Sequence, residues 1–273
     1  MLLVPLRRRR SGSLKTRAAA PKRGDSIMAA NKIPVAIQLY SLRDVAPKDV
    51  PGTLRKVADM GYEGVEFAGY YGLAASELAK MMADCGLRCA GSHVGMNLLE
   101  GDAFEETVAM NKTVGNDRLI VPWSDLKDMQ SIVANLNKVH ARAKAAGMRV
   151  GFHNHKNEFE MENGISKFDF IFAGTPNDFL MQLDIGWAAA AGQDVPAILR
   201  KYARRIETVH VKEFSAENPK AAVGEGSVDW PSVFNVLEKE TSVKWYVVEQ
   251  EKFDIGPMES AKTCIENMRK MGR

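Results

Sequence analysis

From Ile33 onward, short apolar runs alternate with longer stretches whose apolar residues recur at helical intervals. The short runs are Val35–Tyr40, Gly64–Phe67, Arg88–Ser92, Arg118–Val121, Arg149–Phe152, Phe179–Leu183, Glu207–Val211 and Lys244–Val248. Near-continuous apolar runs of this length read as parallel strands buried on both faces. Between them, Asp49–Met60 spaces Val50, Leu54 and Val57 as a helix does, Ser76–Cys85 does so with Leu78, Met81 and Met82, and Ser131–Ala146 with Ile132, Leu136, Val139 and Ala143. Asp194–Ala203, Trp230–Glu240 and Pro257–Met271 continue the pattern, and Gly61, Gly86, Gly115 and Gly147 stand where helices would stop.

Strand candidates that each lead into a helix candidate predict an α/β fold with a parallel sheet. Eight such units within about 250 residues predict a single (β/α)8 TIM barrel over 33–273. The competing architecture, an open doubly wound sheet, usually carries a glycine-rich phosphate loop after its first strand. Here the first strand runs into Gln38-Leu39-Tyr40-Ser41-Leu42-Arg43, which has no glycine, and neither GxGxxG nor GxxxxGK occurs elsewhere.

Composition fits a packed globular chain, with 45% hydrophobic and 26% charged residues. No apolar run approaches the ~20 residues of a membrane span. The net charge of +3 hides an asymmetry. Residues 1–27 hold eight Lys or Arg against Asp25 alone, whereas the rest holds 29 basic and 33 acidic residues. The body is therefore mildly acidic, which argues against a nucleic-acid-binding surface. The basic segment is expected to be a disordered extension over 1–32, with Met28 an alternative start; Ser11–Ser26 lacks the apolar stretch of a twin-arginine signal. Three unpaired cysteines, Cys85, Cys89 and Cys264, suit reduced thiols and a cytoplasmic location.

In such a barrel the chemistry gathers at the C-terminal ends of the strands. Four of the five histidines fall there: His93 after the third strand, His153 and His155 after the fifth, His210 near the end of the seventh; only His140 sits mid-helix. Asp184 ends the sixth strand, Glu249 the eighth, and Glu66 lies on the second. An ionised acid at the end of an apolar strand is costly unless paired or metal-bound. Imidazoles and carboxylates from neighbouring strands make a mixed site for one divalent cation of the Mn, Co, Zn, Mg or Fe kind, the alternative being an ion-pair network with Lys212, Arg43 or Arg205. Because residues i and i+2 of a strand share a face, His153 with His155, and His210 with Lys212, would both point into the mouth.

These residues carry a resemblance. Gly61-Tyr62-Glu63-Gly64-Val65-Glu66-Phe67, Gly91-Ser92-His93-Val94-Gly95, Phe152-His153-Asn154-His155, Leu183-Asp184-Ile185-Gly186-Trp187, His210-Val211-Lys212, Val223-Gly224-Glu225-Gly226-Ser227-Val228-Asp229-Trp230 and Val248-Glu249-Gln250 follow one another as in the xylose-isomerase-like barrels, which the chain resembles from Ile33 to its end. That group includes sugar and sugar-phosphate isomerases and epimerases, inosose dehydratase and endonuclease-IV-like proteins. The resemblance implies a metal site of Glu, Asp, His and Glu at the ends of strands five to eight. Asp184, His210 and Glu249 match the last three, while His153 stands where relatives have the first glutamate. Glu158 and Glu160 are near enough in sequence to supply the missing carboxylate.

The resemblance implies a metal-dependent sugar isomerase or epimerase in which the metal grips a ketone and its neighbouring hydroxyl, stabilising an enediolate while proton transfer occurs beside the carbonyl. A lyase or dehydratase on an inosose or keto-sugar follows closely, because one of the two proton-passing carboxylates is replaced. Endonuclease activity and a non-catalytic sugar-binding barrel are further alternatives. The expected ligands are His153, Asp184, His210 and Glu249, and the expected acid–base groups Glu249, His153 and Lys212. Substrate contacts are expected from His93, His155, Glu66, Trp187 and Glu225, with Trp123 a further stacking surface. The partner is a small carbohydrate or cyclitol, with no nucleic acid or membrane; the sequence admits a homo-oligomer.

Overall fold

The structure, a computed structural model, describes residues 1–2 and 32–273. The expected basic extension therefore falls almost wholly outside the described residues. Ile33–Arg273 form one compact unit.

Eight parallel strands close on themselves: β1 (Val35–Gln38), β2 (Gly64–Phe67), β3 (Arg88–His93), β4 (Arg118–Val121), β5 (Arg149–His153), β6 (Leu180–Asp184), β7 (Thr208–Val211) and β8 (Trp245–Val248). Each pairs with its sequence neighbours, and Ile37 opposite Val248 closes the ring between β1 and β8. This is the (β/α)8 barrel that the alternating pattern predicts. Helices α1 (Val50–Met60), α2 (Ala75–Asp84), α3 (Ala103–Thr113), α4 (Met129–Ala145), α5 (Lys167–Gly174), α6 (Ile185–Ala190), α7 (Val195–Lys201), α8 (Trp230–Glu240) and α9 (Pro257–Lys270) follow the strands. A two-stranded hairpin, Met161–Glu162 with Ile165–Ser166, interrupts the passage from β5 to α5.

Local chemistry sets the helix starts. Asp49, Asp128, Ser166, Asp184, Asp194 and Asp229 each accept a backbone N–H of the helix they precede, satisfying one of its orphan donors. The first strand ends at Gln38 rather than at Tyr40, because the Gln38 side chain accepts from Tyr40 N at 3.1 Å and starts a 3-10 turn over Leu39–Leu42.

Strand parity separates two environments. Outward-facing residues such as Val65, Phe152, Val209 and Tyr246 join the helices in the main apolar core. Ala36, Ala90, Trp245 and Val247 form a second, smaller apolar cluster. Toward the C-terminal ends of the strands, interior positions turn polar: Gln38, Glu66, Gln182 and His210 are fully buried. Glycine makes room where this interior is tightest. A Cβ on Gly64 would lie 2.8 Å from the Trp245 ring, and one on Gly91 would lie 2.7 Å from Glu66 Oε1. Gly91 also adjoins the register shift between β2 and β3 at Val65/Glu66.

Candidate metal centre

The polar interior opens toward the C-terminal ends of β5 to β8. There His153, Asp184, His210 and Glu249 converge, each offering one donor atom, with these atoms all within 4.8 Å of one another. Three close strand ends by parity, and Glu249 follows β8 on the same face as Val247.

Beneath the cluster, Glu66 holds it together. Its Oε2 accepts from His210 Nε2 at 2.6 Å and Gln38 Nε2 at 2.8 Å, and lies 3.2 Å from His93 Nε2. Its Oε1 accepts from Gln182 Nε2 at 2.7 Å. Gln182 in turn meets His93 Nε2 at 2.7 Å through Oε1. With both oxygens engaged and no exposed surface, Glu66 braces His210, Gln38 and Gln182 where a substrate contact was expected. A carboxylate that fixes the far nitrogen of a ligand histidine is a recurrent support in metal sites.

His210 thereby presents Nδ1 upward, 3.1 Å from Glu249 Oε2 and 4.0 Å from Asp184 Oδ2. Burial disfavours a charged imidazole, but the flanking Glu66 and Glu249 outweigh it and raise the His210 pKa to about 10. Lys212 lies 3.3 Å from Glu249 Oε2 and 3.9 Å from Asp184 Oδ2, and pairs closely with Glu251. Burial opposes its charge too, and these three carboxylates outweigh burial and raise its pKa. For Glu249, burial is overcome by Lys212 and His210, which hold the carboxyl well below its usual range. Asp184 goes the other way. Burial dominates, Lys212 offsets it only in part, and the pKa stands at about 7. His153 is held neutral by burial, with nearby His210 and His93 adding to the effect.

Two polar atoms of the cluster are buried without a hydrogen-bond partner: His153 Nδ1 and Asp184 Oδ2. Both belong to the four converging side chains. Buried polar atoms are almost always satisfied, so this pair marks where a further atom belongs. Two imidazoles and two carboxylates suit a divalent cation of the first transition row. The residues fit the expected metal.

Of the other expected contacts, His93 stacks on His210 with ring centroids 5.1 Å apart, and His155 lies 5.0 Å from His153. Trp187 lies beneath Lys212 Nζ at 4.7 Å, and the Trp187 backbone N–H caps Asp184 Oδ1 at 2.8 Å. Glu225 is not brought in: exposed, it accepts from Ala222 N at 3.1 Å and approaches Asn267 on α9. The loop after β7 is organised by Glu213, whose carboxylate accepts from Phe214 N, Gly224 N, Val228 N and Trp230 Nε1. The missing carboxylate is not supplied by the loop after β5. Glu158 is buried and accepts from His155 N at 2.8 Å, while Glu160 pairs with Lys167. Gln38, Gln182, Glu213 and Glu251 were not singled out from sequence. Glu251 had a signal, since it stands two residues beyond Glu249 as Lys212 does beyond His210.

Fold and cluster together define a (β/α)8 barrel with a buried His/Asp/Glu constellation that could hold a metal at the C-terminal ends of its strands. The chain belongs to the xylose isomerase-like TIM barrel family, whose model matches residues 54–271. It is 28% identical over 152 residues to an inosose dehydratase of Clostridium tetani, covering 48% of this chain and 47% of that protein. The match thus spans about half the length of that curated relative. An inosose dehydratase of Mesomycoplasma hyopneumoniae is 24% identical over 82% of this chain and 81% of its own length. A sugar phosphate isomerase/epimerase from Parabacteroides distasonis shares the fold with a TM-score of 0.75 at 21% identity, over 91% of this chain and 98% of that structure. Among the described residues no helix is long and apolar enough to cross a membrane.

Proposed function

We propose that the protein is a divalent-metal-dependent lyase or dehydratase. It removes a proton from the carbon beside the carbonyl of a keto-sugar or keto-cyclitol and expels an oxygen leaving group from the next carbon. The observation that carries this reading is the asymmetry of the acid–base groups. Glu249 stands 3.3 Å from the cationic Lys212, and the loop after β5 brings no carboxylate to stand in for a glutamate at His153, because Glu158 accepts from His155 N and Glu160 pairs with Lys167.

His153, Asp184, His210 and Glu249 would hold the metal, which when bound supplies Lewis-acid polarisation of the carbonyl. Glu249 Oε2 faces Lys212 and His210, which leaves Oε1 to receive the proton. Lys212, kept charged by Glu249, Asp184 and Glu251, donates a proton to the departing oxygen. Trp187 packs under the Lys212 ammonium and orients it. The names of the curated relatives accord with this assignment.

An isomerase or epimerase is the second reading. It is favoured by His153, a neutral imidazole with a free Nδ1 that can return a proton in place of the lost carboxylate. One experiment separates the two. Metal-loaded protein is incubated with inososes and keto-sugars in deuterated water, and products are weighed by mass spectrometry. Loss of water or of an alcohol supports the lyase. Deuterium gain with the oxygen retained supports the epimerase. Turnover indifferent to both chelation and Asp184→Asn refutes either form.

A further inference from the structure

Beside the metal centre lies a cleft of about 390 Å³, whose walls include Trp123, Asp125, His155, Asn157 and Trp187. Its volume falls within the ~300–1,000 Å³ of small-molecule sites, before any space over the metal cluster is counted. It adjoins the centre through two of its walls. His155 stands two residues beyond the ligand His153, and Trp187 three beyond the ligand Asp184. Both side chains carry a buried nitrogen with no partner, His155 Nδ1 and Trp187 Nε1. At the far side Trp123 is 63% exposed, a large flat apolar face on a surface loop after β4. The polar lining combines amide, hydroxyl and imidazole groups with three carboxylates, Asp125, Glu158 and Glu160, against two ammonium groups, Lys156 and Lys167, the latter paired with Glu160. With carboxylates outnumbering ammonium groups, such a wall suits an uncharged, polyhydroxylated ring with an apolar face better than a phosphate.

We infer that this cleft binds a second sugar ring, joined through oxygen to the ring held at the metal centre, so that the substrate is a keto-glycoside larger than a monosaccharide. The inference rests on the elimination proposed above and names its leaving group. The step balances without an oxidant or reductant. The base takes the proton beside the ketone, and the C–H electron pair becomes a carbon–carbon double bond. The bond from the next carbon to the bridging oxygen breaks with its pair on oxygen, and that oxygen takes the Lys212 proton. The products are an unsaturated ketone and the second sugar as an alcohol.

Calorimetric titration of metal-loaded protein with glucose, cellobiose, maltose, trehalose and sucrose tests the cleft. At least one disaccharide is expected to bind about tenfold tighter than glucose, the order of one well-stacked aromatic contact with its buried area. Trp123→Ala is expected to bring that ratio to about one, and Trp123→Phe to retain most of it. Trp123 is exposed, so neither variant threatens the fold. Equal affinity for glucose and every disaccharide overturns the assignment, as does a ratio untouched by Trp123→Ala. Tight binding of phenyl glucoside with no disaccharide preference overturns it in favour of an aryl group. Release of the alcohol from keto-glycosides, followed by mass spectrometry on the same samples, keeps the two ideas apart. Metal-dependent release without a disaccharide preference sinks the cleft alone; a Trp123-dependent preference without release sinks the elimination and leaves a sugar-binding cleft.

Discussion

Asp184→Asn is expected to do opposite things to the metal-free and the metal-loaded protein. In the metal-free protein the Asp184 carboxyl is fully buried, its Oδ2 has no hydrogen bond, and burial lifts its pKa from 3.8 to about 7. A folded-state pKa above the unfolded value means that the folded chain keeps a proton that the unfolded chain has lost. Stability therefore falls as pH rises from about 3.8 to about 7 and then levels off. Roughly three pH units at 1.36 kcal/mol each put the penalty near 4 kcal/mol above pH 7. Asparagine keeps the shape and can still cap α6 through its oxygen, but it carries no charge to desolvate. Lys212 keeps Glu249 and Glu251 as partners. After chelation at pH 8, the variant should be more stable than wild type by up to about 4 kcal/mol, on the order of 10 °C in Tm for a chain of this size. At pH 4 the difference should vanish. With saturating manganese or zinc the order should reverse, since binding to the folded state alone stabilises wild type. Differential scanning calorimetry at both pH values, with and without metal, reads all of this. A chelated variant less stable than chelated wild type at pH 8 would refute the reasoning.

Gly91→Ala should place a methyl 2.7 Å from Glu66 Oε1, displace the brace under His210 and cost about 1–3 kcal/mol, with metal content by mass spectrometry falling alongside. Lys212→Met should lower turnover by about a hundredfold or more with metal content retained, and should destabilise the fold by about 3–5 kcal/mol because buried carboxylates lose their cation; kinetics and denaturant titration check the two effects. Tyr62→Phe removes only the hydroxyl that donates to Ala261 O at 2.8 Å, so a loss of about 1 kcal/mol in urea unfolding with unaltered turnover is expected.

The barrel was legible because each strand is buried on both faces, which leaves an uninterrupted apolar run such as Arg118–Val121. Three helices gave weaker signals. α3, with the sequence AFEETVAMNKT, mixes apolar and charged positions; α5 and α6 are short and follow loops rather than long amphipathic runs. The converging side chains were legible for a related reason: His153, Asp184, His210 and Glu249 are polar residues at the ends of otherwise apolar strands. What lies under them was not. Gln38 and Gln182 are neutral amides inside strands, and nothing in a linear sequence says that both turn toward one carboxylate 28 and 116 residues away. Glu66 stands out in the sequence, but its depth in the barrel does not, because register sets it and the chain does not state register locally. Glu225 drew notice through its flanking glycines. The loop's organiser is Glu213, whose four backbone and indole donors come from positions scattered over 214–230.

The small apolar cluster of Ala36, Ala90, Trp245 and Val247 has a consequence for proton traffic. It forms a dry floor below the polar interior, and Arg88 is stacked on the Trp245 ring at 4.6 Å. Apolar packing of this kind leaves little room for water directly beneath the Glu66–His210 pair. On its other side His210 faces Glu249, which Lys212 pairs in turn, so a proton displaced from His210 by an arriving cation has these two groups as its nearest relay. Loading of the candidate centre is then expected to depend on the protonation of Glu249 and Lys212 as well as of His210.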